Sequence, residues 1–265
     1  MDESDRARRK PPNLQERHAS ATNRDSLRGD ILRLWDERAA TYEQEHKRPD
    51  SAMEYVETRR KEIVLPWLTE HMGRSPVILD ASCGVGLWFE YLGSGTLTYG
   101  SDLSEPMIRE CRKKNFVRTC VASFEDLPYR QDTFDLVLCL ASLLYSGRLS
   151  AVLGEIHRVL KPGGVVAFST WNRGHPRHLA EKLLRALGSR QAVIAHRYSV
   201  PYVKATVTQA GFRLKHLDMV NLLPWVIDGR TRRRRALAML GSMEKTLARL
   251  RAEWLFNETV FLATK

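Results

Sequence analysis

Two aspartates stand where this chain is best placed to do ligand chemistry, each closing an apolar run and each followed by small residues. Val77-Ile78-Leu79-Asp80 runs into Ala81-Ser82-Cys83-Gly84-Val85-Gly86, and Leu97-Thr98-Tyr99-Gly100-Ser101-Asp102 runs into Leu103-Ser104. The first segment, with the apolar-periodic stretch Leu87 to Leu92 behind it, reads as buried strand, tight turn and helix, the unit that opens a nucleotide-binding α/β domain. Gly84 and Gly86 let backbone N–H groups approach a ligand with no Cβ in the way. A dinucleotide loop would carry a third glycine three residues on, where Phe89 stands. Asp80 beside such a turn suits a ligand bearing positive charge better than a pyrophosphate. Asp102, about 20 residues beyond the turn, is placed to accept two hydrogen bonds from ribose hydroxyls. Its competing role, capping the next helix, falls more naturally to Ser104, ahead of Glu105-Pro106-Met107.

The elements that must hold these residues alternate along the chain. Residues 1–29 are rich in Arg, Asp, Glu, Ser, Asn and Pro and read as a disordered mixed-charge tail, with a basic nucleic-acid arm as the alternative. A single domain is expected over residues 30–265. Helical patterns run from Asp30 (Ile31, Leu34, Trp35, Ala39, Tyr42) and from Ala52 to Met72, ended by Gly73 and Pro76. Trp35 and Tyr42 read as packing residues. Strands are expected at Val77–Asp80, Leu97–Asp102, Val117–Val121, Phe134–Leu140, Val165–Thr170, Phe212–Val220 and Glu258–Ala263. Helices are expected at Ser150–Leu160 and Pro201–Ala210, with Lys161-Pro162-Gly163-Gly164 as a turn. The alternation implies an open, mostly parallel sheet with right-handed crossovers.

With 265 residues and a 43% hydrophobic share, the chain can build one large α/β domain. No apolar run approaches the roughly 20 residues that span a bilayer, and Met1 to Asp30 holds no signal-like apolar core. Cys83, Cys111, Cys120 and Cys139 show no CxxC or metal-ligand spacing, so a cytoplasmic protein without disulfides or structural zinc is expected. The net charge of +11 favours contact with nucleic acid, an anionic membrane or an acidic substrate, unless it reflects only a general abundance of arginine.

Five segments in order resemble the class I S-adenosylmethionine-dependent methyltransferases, in particular the small-molecule branch related to ubiquinone-pathway enzymes. They are Val77 to Gly86, Gly100-Ser101-Asp102-Leu103-Ser104, Glu125-Asp126-Leu127-Pro128-Tyr129, Thr133-Phe134-Asp135-Leu136-Val137 and Leu160-Lys161-Pro162-Gly163-Gly164. The match runs from about Asp30 to Gly211. The resemblance implies a Rossmann-like, doubly wound sheet of seven strands whose last is antiparallel. It implies S-adenosylmethionine as cofactor, with Asp80 and Gly84 at its methionine end, Asp102 on the ribose and Leu103 against the adenine. Ser123, Phe124 and Glu125 would hold the adenine edge. The chain departs from the family pattern at Ser82, where glycine is usual, and at Ser123, where an acid is usual.

Methyl transfer is an in-line displacement at a carbon bound to a sulfonium, so the protein's main task is alignment, with a base required only if the acceptor must lose a proton. Acceptor-side residues should come from the loops after the fourth and fifth strands. Tyr145 and His175 are the candidates for positioning or proton removal, with Ser142 and Trp171 as further substrate contacts. Between residues 221 and 257 lies more chain than a hairpin needs. There, 230–235 is almost all arginine, and Leu240, Met243, Leu247, Leu250 and Trp254 form one apolar helical stripe. This helical insert, about 228–254, reads as a lid, an interfacial helix at an anionic membrane, or an RNA contact. The reading is a methyltransferase acting on an O or N atom of a small molecule from a specialised-metabolite or lipid/glycan pathway. Its rivals are an RNA or tRNA methyltransferase and a methyltransferase-like scaffold without activity.

Overall fold

The computed structural model describes residues 14–49, 51–71, 73, 75–92, 95–114, 117–176, 178, 196–222, 243, 246–247 and 253–265. In chain order the elements are α1 (Leu14–Lys47), α2 (Ala52–His71), β1 (Val77–Asp80), β2 (Leu97–Asp102), α3 (Glu105–Arg112), β3 (Val117–Val121), β4 (Phe134–Cys139), α4 (Leu149–Val159), β5 (Leu160–Trp171), α5 (Val200–Gln209), β6 (Arg213–Val220) and β7 (Glu258–Thr264). The seven strands form one sheet in the order β3-β2-β1-β4-β5-β7-β6. β1 to β5 are mutually parallel, and β7 runs antiparallel to both β5 and β6.

Side chains alternate across the sheet, as the two-residue period of a strand requires. Leu79, Val137, Val166, Phe168 and Phe261 face one side, where α4 and α5 cover them with Val152, Ile156, Val203 and Val207. Ile78, Leu136, Leu138, Ala167 and Leu262 face the other, under Val64, Trp67 and Leu68 of α2 and Ile108 of α3. Burial on both faces explains why these strands read as unbroken apolar runs rather than alternating ones.

Three local expectations change. α1 begins at Leu14 and so takes in residues 14–29, assigned to the tail on composition. Poverty in aliphatics argues against a buried core, but Ala, Leu, Arg, Glu and Gln are good helix formers and no proline interrupts 14–47. Behind the glycine turn stands only a 3₁₀ turn, Trp88–Tyr91, in place of an α-helix. Its Trp88 and Phe89 are buried in the core beside Cys83 and Cys111. The Lys161–Gly164 segment lies within β5 rather than before it, and the register with β4 slips there, Phe134 opposing Leu160 but Leu136 opposing Val165. Of the expected insert, the basic run 230–235 lies outside the described residues. Met243 and Trp254 are exposed, while Leu247 packs beside Met219, Leu222 and Phe256.

α2 is fastened to the last strand by charge. The buried Arg60 guanidinium donates from Nε to Glu258 Oε1 (2.9 Å) and from Nη2 to Oε2 (2.6 Å), and a third donor reaches Glu57. Glu258 is fully buried. Arg60→Ala strands that carboxylate in the interior, and a loss of about 3–5 kcal/mol is expected. The urea midpoint is the measurement, and Glu258→Gln should lower it in the same direction.

Candidate active site

Over the carboxyl ends of β1, β2, β3 and β4 lies a cavity of about 630 Å³. Its floor is Ala81, Ser82 and Gly84 from the turn after β1 and Asp102, Leu103 and Ser104 after β2. Ser123, Phe124 and Glu125 close one end, and Leu140, Ala141, Ser142 and Tyr145 come from the loop after β4. α1 supplies the roof through Ile31, Leu32, Trp35 and Tyr42.

The floor is built around Asp102. Its Oδ2 accepts the Gly84 N–H and its Oδ1 the Ser104 N–H, both at 2.9 Å, so one carboxylate joins two strand-end turns. Burial raises its pKa, and backbone N–H bonds from Ser104, Gly84 and Leu103 oppose the shift. Ser104 caps α3, its Oγ accepting the Met107 N–H at 3.3 Å, and its hydroxyl donates to Asp36 of α1 at 2.5 Å, which moors the roof to the floor. Gly84 has φ +51°, and a Cβ there would stand 3.9 Å from Tyr42 and 4.0 Å from Met107 Sδ, within the space a ligand would use. Gly86 does different work. At φ +77° a Cβ would come within 2.7 Å of Cys111 Sγ and 2.9 Å of Phe89, so this glycine permits packing and is not on the cavity wall.

Asp80 lies beneath the turn, 3% exposed, accepting the Ser82 N–H at 3.2 Å. Burial, with the nearby charges of Asp102 and Glu57, pushes its carboxyl up to about 7. It is therefore poised between neutral and charged at physiological pH and acts on the cavity through its field rather than by lining it.

The loop after β4 is held by hydroxyls. Ala141 adopts φ +57°, unusual for a residue with a Cβ, and its N–H donates to Ser169 Oγ at 2.8 Å. The Ser142 hydroxyl donates to Ser82 Oγ at 2.8 Å, so the serine standing where the family has glycine ties the β1 turn to the β4 loop. A 3₁₀ turn, Leu143–Tyr145, then delivers Tyr145 edge-on to Trp35, with ring centroids 5.6 Å apart, and Trp35 is edge-on to Tyr42 at the same separation. Burial pushes the Tyr145 phenol up to about 12, while the charge of Arg38 and the neighbouring Trp35 work the other way. Tyr145 keeps its proton at neutral pH and can orient an acceptor but not deprotonate one. Next along the loop, Glu125 accepts from the Ser146 hydroxyl at 2.6 Å and faces Arg148 at 3.6 Å, while the Ser123 hydroxyl accepts the Glu125 N–H at 3.2 Å.

The cavity thus brings together Ser82, Gly84, Asp102, Leu103, Ser123, Phe124, Glu125, Ser142 and Tyr145, but not Asp80, Gly86, Trp171 or His175. The last two are displaced because the β5–β7 ladder runs to the very end of β5, where Trp171 opposes Glu258. The following residues stay on that side. Asn172 N–H donates to Asn257 O at 2.8 Å, its amide donates to Glu253 O at 2.6 Å, and Arg197 lies over the Trp171 ring at 4.7 Å. His175 is buried behind this knot at 4% exposure. Trp35 and Tyr42, taken as packing residues, do pack on each other and also wall the cavity. Ile31, Trp35 and Tyr42 are four and then seven residues apart, one face of a helix, which is the signal that could have placed them together. His196, Met107 and Arg148 also reach the wall and carried no such signal.

Residues 79–168 match the family model described as a methyltransferase domain. The fold is also that of an S-adenosylmethionine-dependent methyltransferase from Mesorhizobium loti, with a TM-score of 0.54 at 21% identity over 76% of this chain and 96% of that one. The chain thus has the fold of class I, S-adenosylmethionine-dependent methyltransferases, and its residues 79–168 match a methyltransferase domain. Among curated proteins it is similar to a malonyl-[acyl-carrier protein] O-methyltransferase of Salmonella typhimurium, 35% identical over 37% of this chain and 39% of the relative. It is also similar to a tRNA (carboxymethyluridine(34)-5-O)-methyltransferase of Arabidopsis thaliana, 36% identical over 38% of this chain and 26% of the relative. The likeness therefore spans well under half the length of these curated relatives.

The raised Asp80 carboxyl sets a pH dependence. A ligand with positive charge near it favours the ionised form, so S-adenosylmethionine should bind more tightly as pH rises from about 6 to 8 and release protons on binding. Calorimetry in buffers of different ionisation enthalpy measures the released protons, and Asp80→Asn should flatten the dependence. In the free protein the folded state holds this proton more tightly than the unfolded chain. Asp80 therefore makes stability fall as pH rises from the unfolded value near 4 towards about 7.

Proposed function

We propose that this chain transfers a methyl group from S-adenosylmethionine to an O or N atom of a small-molecule acceptor, in specialised-metabolite or lipid/glycan biosynthesis in the cytoplasm. The observation that carries the reading is that one cavity gathers Asp102, Gly84 and the Ser123–Glu125 turn with the Trp35–Tyr42–Tyr145 cluster. In this reading Asp102 holds the ribose hydroxyls, Leu103 packs on the adenine, and Ser123, Phe124 and Glu125 line its edge. The open φ +51° corner at Gly84 gives the methionine portion room. When bound, the cofactor supplies an electrophilic methyl group on a sulfonium. The protein contributes alignment, which can lower a barrier by roughly 7–11 kcal/mol, and a wall that excludes water from the reacting atoms.

A second reading, methylation of RNA, draws on the Arabidopsis relative and on the net charge of +11. The basic run 230–235 that would carry it, or carry contact with an anionic membrane, lies outside the described residues. Among the described residues, no helix is long and apolar enough to cross a membrane.

Calorimetric titration with S-adenosylmethionine and S-adenosylhomocysteine at two salt concentrations tests the reading. Micromolar binding of both is expected. Asp102→Ala should weaken both at least tenfold, since a charge-assisted hydrogen bond contributes about 1.5–3 kcal/mol. Failure to bind either returns the chain to the scaffold reading, and tight RNA binding that collapses with salt favours the second.

A further inference from the structure

A methyl acceptor that carries a proton needs somewhere to send it, and the cavity wall offers few places. Among the described residues, the titratable side chains on that wall are Tyr42, Asp102, Glu125, Tyr145, Arg148 and His196. The two phenols are raised by burial and keep their protons at neutral pH, and a guanidinium has no lone pair to offer. Asp102 is committed to the Gly84 and Ser104 N–H groups. Glu125 accepts from the Ser146 hydroxyl through one oxygen and faces the Arg148 guanidinium with the other. The His196 imidazole remains. It is half-buried, and among the described residues neither of its ring nitrogens has a hydrogen-bond partner.

This ring is positioned by the backbone around it. The His196 N–H donates to Leu144 O at 2.6 Å, in the turn that delivers Tyr145. The imidazole lies over Gly147, where a Cβ would stand 3.1 Å from Cε1, 3.3 Å from Nε2 and 3.7 Å from Nδ1, a contact that a side chain there would crowd. Next along the chain, Arg197 Nη1 donates to Asn257 Oδ1 at 2.7 Å. The Tyr198 N–H donates to Trp171 O at 2.8 Å and its hydroxyl to Ser146 O. The segment through His196 is thus fastened to the β4 loop, the end of β5 and the residue before β7. Burial lowers the His196 pKa against the opposing charge of Glu125, so the imidazole is neutral at pH 7.

The acceptor class follows from matching this base to the walls. Ile31, Leu32, Trp35, Tyr42, Leu140 and Tyr145 present apolar and aromatic surface. A carboxylate would need no base. An aliphatic alcohol is about as weak an acid as water, near 15.7, too weak for an imidazole to assist. A phenol, at about 10, can pass its proton to an imidazole as the methyl arrives, and its ring suits aromatic walls.

We propose, building on the methyltransferase reading above, that the acceptor is a phenol and that His196 is the catalytic base that takes its hydroxyl proton, with Trp35, Tyr42 and Tyr145 walling its ring. The phenol oxygen bonds the methyl carbon as the carbon–sulfur bond breaks, and that bond's electron pair goes to sulfur. The hydroxyl proton passes to a ring nitrogen of His196. The phenol becomes an aryl methyl ether, and the positive charge lost at sulfur reappears on the imidazolium. His196 is partly exposed and returns the proton to solvent.

The test uses the full chain. With S-adenosylhomocysteine bound, para-ethylphenol is expected to bind about tenfold more tightly than para-ethylanisole, which keeps the apolar body and lacks the donor. With labelled S-adenosylmethionine, para-ethylphenol should yield para-ethylanisole, and faster than para-ethylbenzoate, para-ethylbenzyl alcohol or para-ethylaniline is methylated. At saturating cofactor, kcat should rise with pH through an inflection below the ordinary histidine value and then level. His196→Ala should lower kcat about 100-fold or more, remove that inflection and leave S-adenosylhomocysteine affinity unchanged. His196→Gln offers the hydroxyl a hydrogen-bond acceptor but no base, so it should keep para-ethylphenol affinity and lose turnover. No turnover of para-ethylphenol, faster turnover of the benzoate, the alcohol or the aniline, or an unaltered kcat and pH profile in His196→Ala overturns the proposal while the cofactor reading stands. No binding of S-adenosylhomocysteine overturns both.

Discussion

The direction in which the chain leaves β1 constrains everything else. From β1 the sheet grows one way through β2 and β3 and the other way through β4 and β5, and right-handed crossovers then put the connections of the two halves on opposite faces. Chain segments leaving the carboxyl ends of β1 and β4 therefore part, and a crevice opens between them. The cavity stands there, and its polar groups arrive on turns whose positions the strand register fixes: Asp80 opposite both Gly100 and Leu138, Asp102 opposite Val121.

Keeping carboxylates at that crevice works against their charge, and the structure offsets it with short, directed donors. Asp102 takes two backbone N–H groups from separate turns. Asp80 takes one and is left near neutrality. The same economy of donors governs the β4 loop, where Ser169 holds the strained Ala141 and Ser82 holds Ser142. Between α2 and β7 the problem is solved with a full countercharge, Arg60 against Glu258 and Glu57. These arrangements differ in one respect that matters for function. The Arg60 network is saturated and rigid, whereas Asp80 has room to change protonation state when a charged ligand arrives.

The roof is what makes the crevice a chamber. α1 contributes no strand and no motif, yet it is moored by Asp36 to the N-cap of α3 and by Trp35 and Tyr42 to the turn at Gly84 and the ring of Tyr145. Aromatic residues serve packing and recognition at once here, since the faces not used against one another remain available to a ligand.

Local chemistry fixed much of this in the sequence itself. β1, β2 and β3 lie at the residues where the sequence puts them, and the other strands differ by a few residues at their ends. Glycines that need φ above zero, and an acid where a strand ends, marked the floor of the cavity before any packing was known. What was not legible is what depends on distance between segments far apart in the chain. Nothing near Trp171 or His175 announces that the β5–β7 ladder, closed by residues almost 90 positions later, will turn them away from the crevice. Nothing near Trp35 announces Tyr145, and the Asp80 carboxyl is shifted by burial under elements the local sequence does not contain. Periodicity and turn residues are properties of neighbours along the chain, so the sequence determined the strands, the glycine turn and the ribose-side acid. Burial, field and long-range contact are properties of neighbours in space, so only the tertiary structure decided which side chains share the cavity and which of them can hold a proton.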